Sequence, residues 1–327
     1  MHRRAFVGLV GATVLASPRA LFAQAPGKIV RVGFLVPTTR KGYAPRIDGL
    51  KAGLRELGYV EGKNLLIEYR SVEDDRYDRL PDLAAQLIAL KVDVLVTGGT
   101  PATLALKRAT SSIPIVIGSA SDPVATGLVP NLARPGGNIT GRTFFTAELG
   151  VKRLQLIREA LPQLKRVAVL MNADNVSMVP VEREMAPAAK GLGLEMQRYD
   201  VRSPSDFDAS FAAMAAKGAE ALIVVEDAML NVNSQRVGAI ATERRLVSIG
   251  SPDVAIGGGA FAYGVDQVDM FRRAAHYIDK IAKGAKAGEL PIERVTKFEM
   301  IINMKTIKAL GIALPQHLLI RADRVIE

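Results

Sequence analysis

The chain has 327 residues, 49% hydrophobic and 23% charged, a globular composition with length for about two domains. Its 43 Lys and Arg exceed its 33 Asp and Glu, for a formal charge of +10, but the basic residues are interleaved with acids and form no aromatic-flanked cluster, which argues against nucleic acid as a partner. Cysteine is absent, which excludes disulfides, thiol catalysis, cysteine-held metal and a lipidated cysteine.

The first stretch, "MHRRAFVGLVGATVLASPRALFAQAPG", has basic residues, an apolar core from Ala5 to Ala16, and small residues around Ala23-Gln24-Ala25. It reads as a signal peptide over residues 1–25, cleaved after Ala25 or Ala23, and its apolar core falls short of the roughly 20 residues a membrane span needs. Arg3-Arg4 followed by Ala5-Phe6-Val7 resembles a twin-arginine export signal, with His2 where Ser or Thr is usual. The mature protein is therefore expected outside the cytoplasm, in the periplasm.

From Lys28 onward, short β-rich runs alternate with helical periodicity. Ile29 to Val36 reads as a strand, and Ile47, Leu50, Leu54 and Leu57 mark an amphipathic helix. "NLLIEYR" is a strand, Leu80, Leu83, Leu87 and Leu90 a helix, and "VDVLVT" a buried strand ending at Gly98-Gly99-Thr100-Pro101. Pro101 suits the first helical position and Thr100 the cap. "IPIVIG" and "GNITGRTFF" close the first series.

A second series follows: a helix with Leu154, Ile157 and Leu161, the strand "RVAVLMN", a helix from about Ser177, the strand "LEMQRYDV", and a helix with Phe207, Phe211 and Met214. "ALIVVED", a helix through Asn233 to Arg244, and "LVSIG" complete it. "GGGAFAYGV" then leads into a long helix with Val268, Phe271, Ala275, Ile278 and Ala282 on one side, and Pro291 to Asn303 reads as one further strand. Two successive βα series predict an α/β fold with two doubly wound parallel sheets. The tail fits if the chain crosses between lobes more than once. The expected division is 28–144 with 263–290 in one lobe and 145–262 with 291–327 in the other.

Catalytic sets are missing from the pattern. His2, His276 and His317 are the three histidines, and no His-x-x-His, His-Glu-x-x-His or Gly-x-Ser-x-Gly occurs. Gly98-Gly99-Thr100-Pro101 lacks the dinucleotide spacing and a phosphate-loop lysine. No cofactor or metal is expected. Polar residues do recur just after strands: Thr38; Thr100; Ser119, Ala120, Ser121 and Asp122; Asn172 to Asn175; Glu226 and Asp227; Ser251 to Asp253. Each reads singly as a helix cap. Together, at the carboxyl ends of two facing sheets, they describe a polar cleft. Adjacent carboxylates on a strand point to opposite faces, so at most one of Glu226 and Asp227 is expected to face it.

At these residues the sequence resembles the exported substrate-binding proteins of ABC transporters of the tryptophan/tyrosine-type group. The stretches that carry the likeness are "GLRELGYVEGKNLLIEYR", "SDPVATGLVPNLARPGGNITG" and "TKFEMIINMKTIKALGIALPQHLLIRADRVIE". The resemblance implies the type I periplasmic binding fold: two Rossmann-like lobes, three crossovers, and a monomer that closes on a small solute and delivers it to a membrane permease and its ATPase. It also implies a site in which Thr100 and Ser119 to Asp122 hold a carboxylate, with Asn175, Glu226 or Asp227, and Asp253 from the second lobe. With Trp absent, Tyr43, Phe144 and Tyr263 are the aromatics available to stack on a ligand. An exported enzyme would instead need an acid/base pair in the cleft, such as Glu226 with Asp122.

Overall fold

The apolar runs sort into two sheets in the computed structural model, which describes residues 29–327. The stretch expected to be a signal peptide, with its expected cleavage sites and export motif, lies outside those residues.

The first sheet is built from β1 (Val30–Val36), β2 (Leu65–Ser71), β3 (Val94–Gly98), β4 (Ile115–Ser121) and β5 (Ile139–Phe144). The second contains β6 (Arg166–Asn172), β7 (Glu195–Val201), β8 (Ala221–Val224), β9 (Val247–Gly250) and β10 (Phe261–Gly264). The tail adds β11 (Glu293–Arg294), β12 (Glu299–Asn303) and β13 (Arg324–Ile326). The orders are β11-β5-β4-β3-β1-β2 and β13-β12-β10-β9-β8-β6-β7. Every pair is parallel except β10 with β12. The central strands β3, β4, β5, β8 and β9 are buried along their whole length, as helices on both faces of a parallel sheet require.

Three passages join the sheets. After β5 the chain enters helix Thr146–Ala160, which packs on strands of the second sheet. After β10 it returns as helix Gln267–Ala282, which packs against helix Ala44–Glu56 and β4. Pro291 to Asn303, expected as one strand, is two: β11 borders the first sheet and β12 joins the second. The intervening backbone belongs to neither ladder because it makes the third crossing. Among the described residues, no helix is long and apolar enough to cross a membrane.

This plan sets the carboxyl ends of both sheets toward each other. One apolar cluster runs from Val72, Tyr77 and Leu80 of the first lobe into Met229 and Leu230 of the second.

Candidate functional site

The turn after β3 is shaped by two glycines. A Cβ on Gly98 would lie 2.1 Å from the Tyr43 hydroxyl and 2.8 Å from the Phe271 ring. Its absence lets Tyr43 lie across the strand end. Gly99 has φ +81° and is the N-cap of helix Thr100–Ala109, a conformation that favours glycine. Thr100, expected as the cap, is instead the first helical residue, and Pro101 is the second. The left-handed turn moves the cap back by one residue, so the threonine hydroxyl is free of capping. It lies 3.5 Å from the Ser121 carbonyl.

Around this turn a small cavity of about 30 Å³ lies between the lobes. The first lobe contributes Tyr43, Thr100, Ser119, Ala120, Ser121 and Phe144, with Gln267 from the returning helix. The leading N–H groups of helix Thr100–Ala109 lack intrahelical partners and carry the positive end of its dipole. Burial pushes the Tyr43 phenol up to about 12, with the Arg46 charge and the Ser119 side chain pulling the other way.

The second lobe contributes Asn175, Ser177, Glu226, Asp227 and Asn231. Glu226 and Asp227 both line the cavity, contrary to the expectation of one. β8 ends at Val224, so both acids lie beyond the strand, where alternation no longer applies. Their partners differ. Asp227 caps helix Ala228–Val232 and accepts from the N–H groups of Met229 (3.0 Å) and Leu230 (3.3 Å). It also accepts from Asn172 (3.1 Å), Asn175 (2.9 Å) and the Tyr77 hydroxyl (2.8 Å). Burial pushes its carboxyl above the usual range, and these side-chain and backbone donors pull the other way.

Glu226 accepts from one side chain, the fully buried Arg153. The guanidinium forks onto both carboxylate oxygens, one at 2.8 Å. Its remaining N–H groups donate to the carbonyls of Val224 (3.2 Å) and Tyr263 (2.9 and 2.6 Å). Arg153 therefore has no donor left for a ligand, whereas each Glu226 oxygen keeps acceptor capacity.

Three expected site residues lie elsewhere. Thr38 is buried away from the cavity wall, and its hydroxyl has no partner among the described residues. Asp122 turns back to accept from the N–H groups of Val124 (3.2 Å) and Ala125 (3.0 Å), so it caps a turn and forms no acid/base pair with Glu226. Asp253 forms an ion pair with Arg46 of the first lobe, whose Nε also donates to Gln267. It joins the lobes outside the cavity. Of the aromatics, Tyr263 stacks on Phe298 instead of entering the site.

Sequence reasoning missed Tyr77, Arg153, Ser177, Asn231 and Gln267. Only Arg153 left a trace: it stands on the stripe of Leu149, Leu156 and Ile157 that buries helix Thr146–Ala160, and a charge on a buried stripe calls for a buried partner. Among the described residues, no group of His, Asp and Glu is placed to hold a metal.

Comparison with known proteins gives a consistent picture. The family model for ABC transporter substrate binding proteins matches residues 31–326. A tyrosine-binding protein of Clostridioides difficile (strain R20291) is 27% identical over 272 residues, which is 81% of this chain and 77% of that protein. Among solved structures, an ABC domain in complex with L-Trp from Streptococcus pneumoniae superimposes with TM-score 0.82 at 24% identity, covering 90% of this chain and 100% of that one. A conserved domain protein from Vibrio cholerae superimposes with TM-score 0.85 at 26% identity, covering 91% and 100%.

Proposed function

The chain belongs to the ABC transporter substrate binding protein family, and from that premise we propose that it captures an amino acid with a large side chain and delivers it to a membrane permease. The observation that carries this reading is the opposed polarity of the cavity walls. The first lobe presents the N-terminus of helix Thr100–Ala109 with the hydroxyls of Thr100, Ser119 and Ser121, a setting for a carboxylate. The second presents Glu226, whose spare acceptor sites suit an ammonium group. Asp227 already accepts five donors, so it organises the wall and leaves the ammonium to Glu226. Tyr43 and Phe144 supply apolar ring surface for the rest of the solute.

The cavity of about 30 Å³ is smaller than an amino acid, so the solute enters with the lobes apart. Contacts to both lobes then favour the closed form. The protein acts as a periplasmic receptor: Glu226 is held by Arg153 and Asp122 is turned away, so these two acids do not form the acid/base pair that an enzyme reading would need. The tyrosine named for the Clostridioides difficile relative falls within the proposed ligand class.

Calorimetric titration of the mature protein tests the reading. L-Tyrosine, L-tryptophan or L-phenylalanine should bind, and analogues lacking either the amino or the carboxylate group should bind at least about tenfold more weakly, since a charged hydrogen bond is lost. Equal affinity for 3-(4-hydroxyphenyl)propionate would remove the ammonium site from the account.

A further inference from the structure

Tyr77 lies in the first lobe, in the turn Tyr77–Arg79 that precedes helix Leu80–Ala89. It is buried, and its hydroxyl crosses to the second lobe, donating to Asp227 Oδ2 at 2.8 Å and accepting from the Met229 N–H at 3.4 Å. The same Asp227 oxygen accepts from Asn175 Nδ2 at 2.9 Å, and Asn175 lines the cavity. Two residues before Tyr77, Asp75 accepts from Asn233 of the second lobe at 2.9 Å. Asp75 has φ +56° and also accepts from the Thr39 N–H at 3.2 Å, so the segment 75–77 is fixed to its own lobe while it reaches across.

We infer that Tyr77 is a positioning residue for solute capture: its phenol, brought by the first lobe, completes the hydrogen-bond set of Asp227, the carboxylate that also anchors cavity-lining Asn175, and so ties the second-lobe wall of the site to the first lobe when the lobes are closed. With the lobes apart, Asp227 Oδ2 loses the phenol, while the Met229 N–H keeps its bond to Asp227 Oδ1 at 3.0 Å. With them together, Met229 and Leu230 pack in the same apolar cluster as Tyr77, and the exchange takes place in a dry seam where a charge-assisted bond is strong. Tyr77 does not line the cavity, so its effect on affinity passes through Asp227. The inference rests on the amino-acid reading above.

The chain contains no tryptophan, so the fluorescence of bound L-tryptophan can be followed without a protein background, and L-tyrosine can be followed by calorimetry. Tyr77→Phe keeps the ring and removes only the hydroxyl. Its affinity for these amino acids should fall about tenfold, mainly through faster dissociation, with association nearly unchanged because the open form is the one that meets the solute. In a cycle with Asp227→Asn, the double variant should lose little more than Asp227→Asn alone. Additive losses would overturn the coupling. A dissociation rate equal to wild type in Tyr77→Phe would overturn the role of the phenol while leaving the amino-acid reading intact. Failure of the unaltered protein to bind either amino acid would instead strike that reading, and the inference with it.

Discussion

Glu226 and Asp227 are adjacent acids with separate tasks, and the difference comes from which donors reach each one. Asp227 sits where a helix begins and where three side chains converge. Among the described residues, Glu226 accepts a side-chain hydrogen bond only from Arg153, which is itself saturated by Val224 and Tyr263. Arg153→Ala should destabilise the protein by about 3–5 kcal/mol, because it leaves a buried carboxylate without its counter-ion. Urea denaturation measures this, and a loss below about 1 kcal/mol would contradict it. The paired replacement Arg153→Met with Glu226→Leu should recover most of that stability yet bind no amino acid, separating the fold from the site. The acids were visible in the sequence as a strand-end pair. Their roles were not, because they depend on residues such as Arg153 and Tyr77 that lie 73 and 150 positions away.

The segment from β3 into helix Thr100–Ala109 was legible as strand, glycine turn and helix because apolar β-branched residues, Gly and Pro act locally. The place of the cap was not legible, since it turns on the φ of Gly99. Gly98 matters through close approach: a methyl there meets the Tyr43 hydroxyl and the Phe271 ring. Gly98→Ala should cost about 1–3 kcal/mol by overpacking and should also weaken amino-acid binding by moving Tyr43 out of the cavity wall. Gly191→Ala is the control, since a methyl at Gly191 meets nothing within 4 Å. Thermal unfolding and calorimetry of the two variants should diverge, and equal behaviour would sink the packing argument. The short strand β13 escaped the sequence reading, and β11 was merged with β12, for a related reason. Each pairs along one neighbour only, so neither needs the long apolar run that marks a central strand.

For the molecule as a whole, the two duplicated βα series made the paired sheets readable, and polar residues after the strands made a cleft between them readable. How the lobes meet was not, because Arg46 with Asp253, Asp75 with Asn233, and Tyr77 with Asp227 are contacts between lobes and leave no periodic mark. These three links, set around one small cavity, belong to the closed form, which on the proposed function a bridging solute selects from an open one. Small-angle scattering of the purified protein with and without saturating L-tyrosine provides the decisive test. The account predicts a smaller radius of gyration on binding, as lobes that parted to admit the solute close over it. Binding with no change in radius, or no binding of any amino acid, would contradict it.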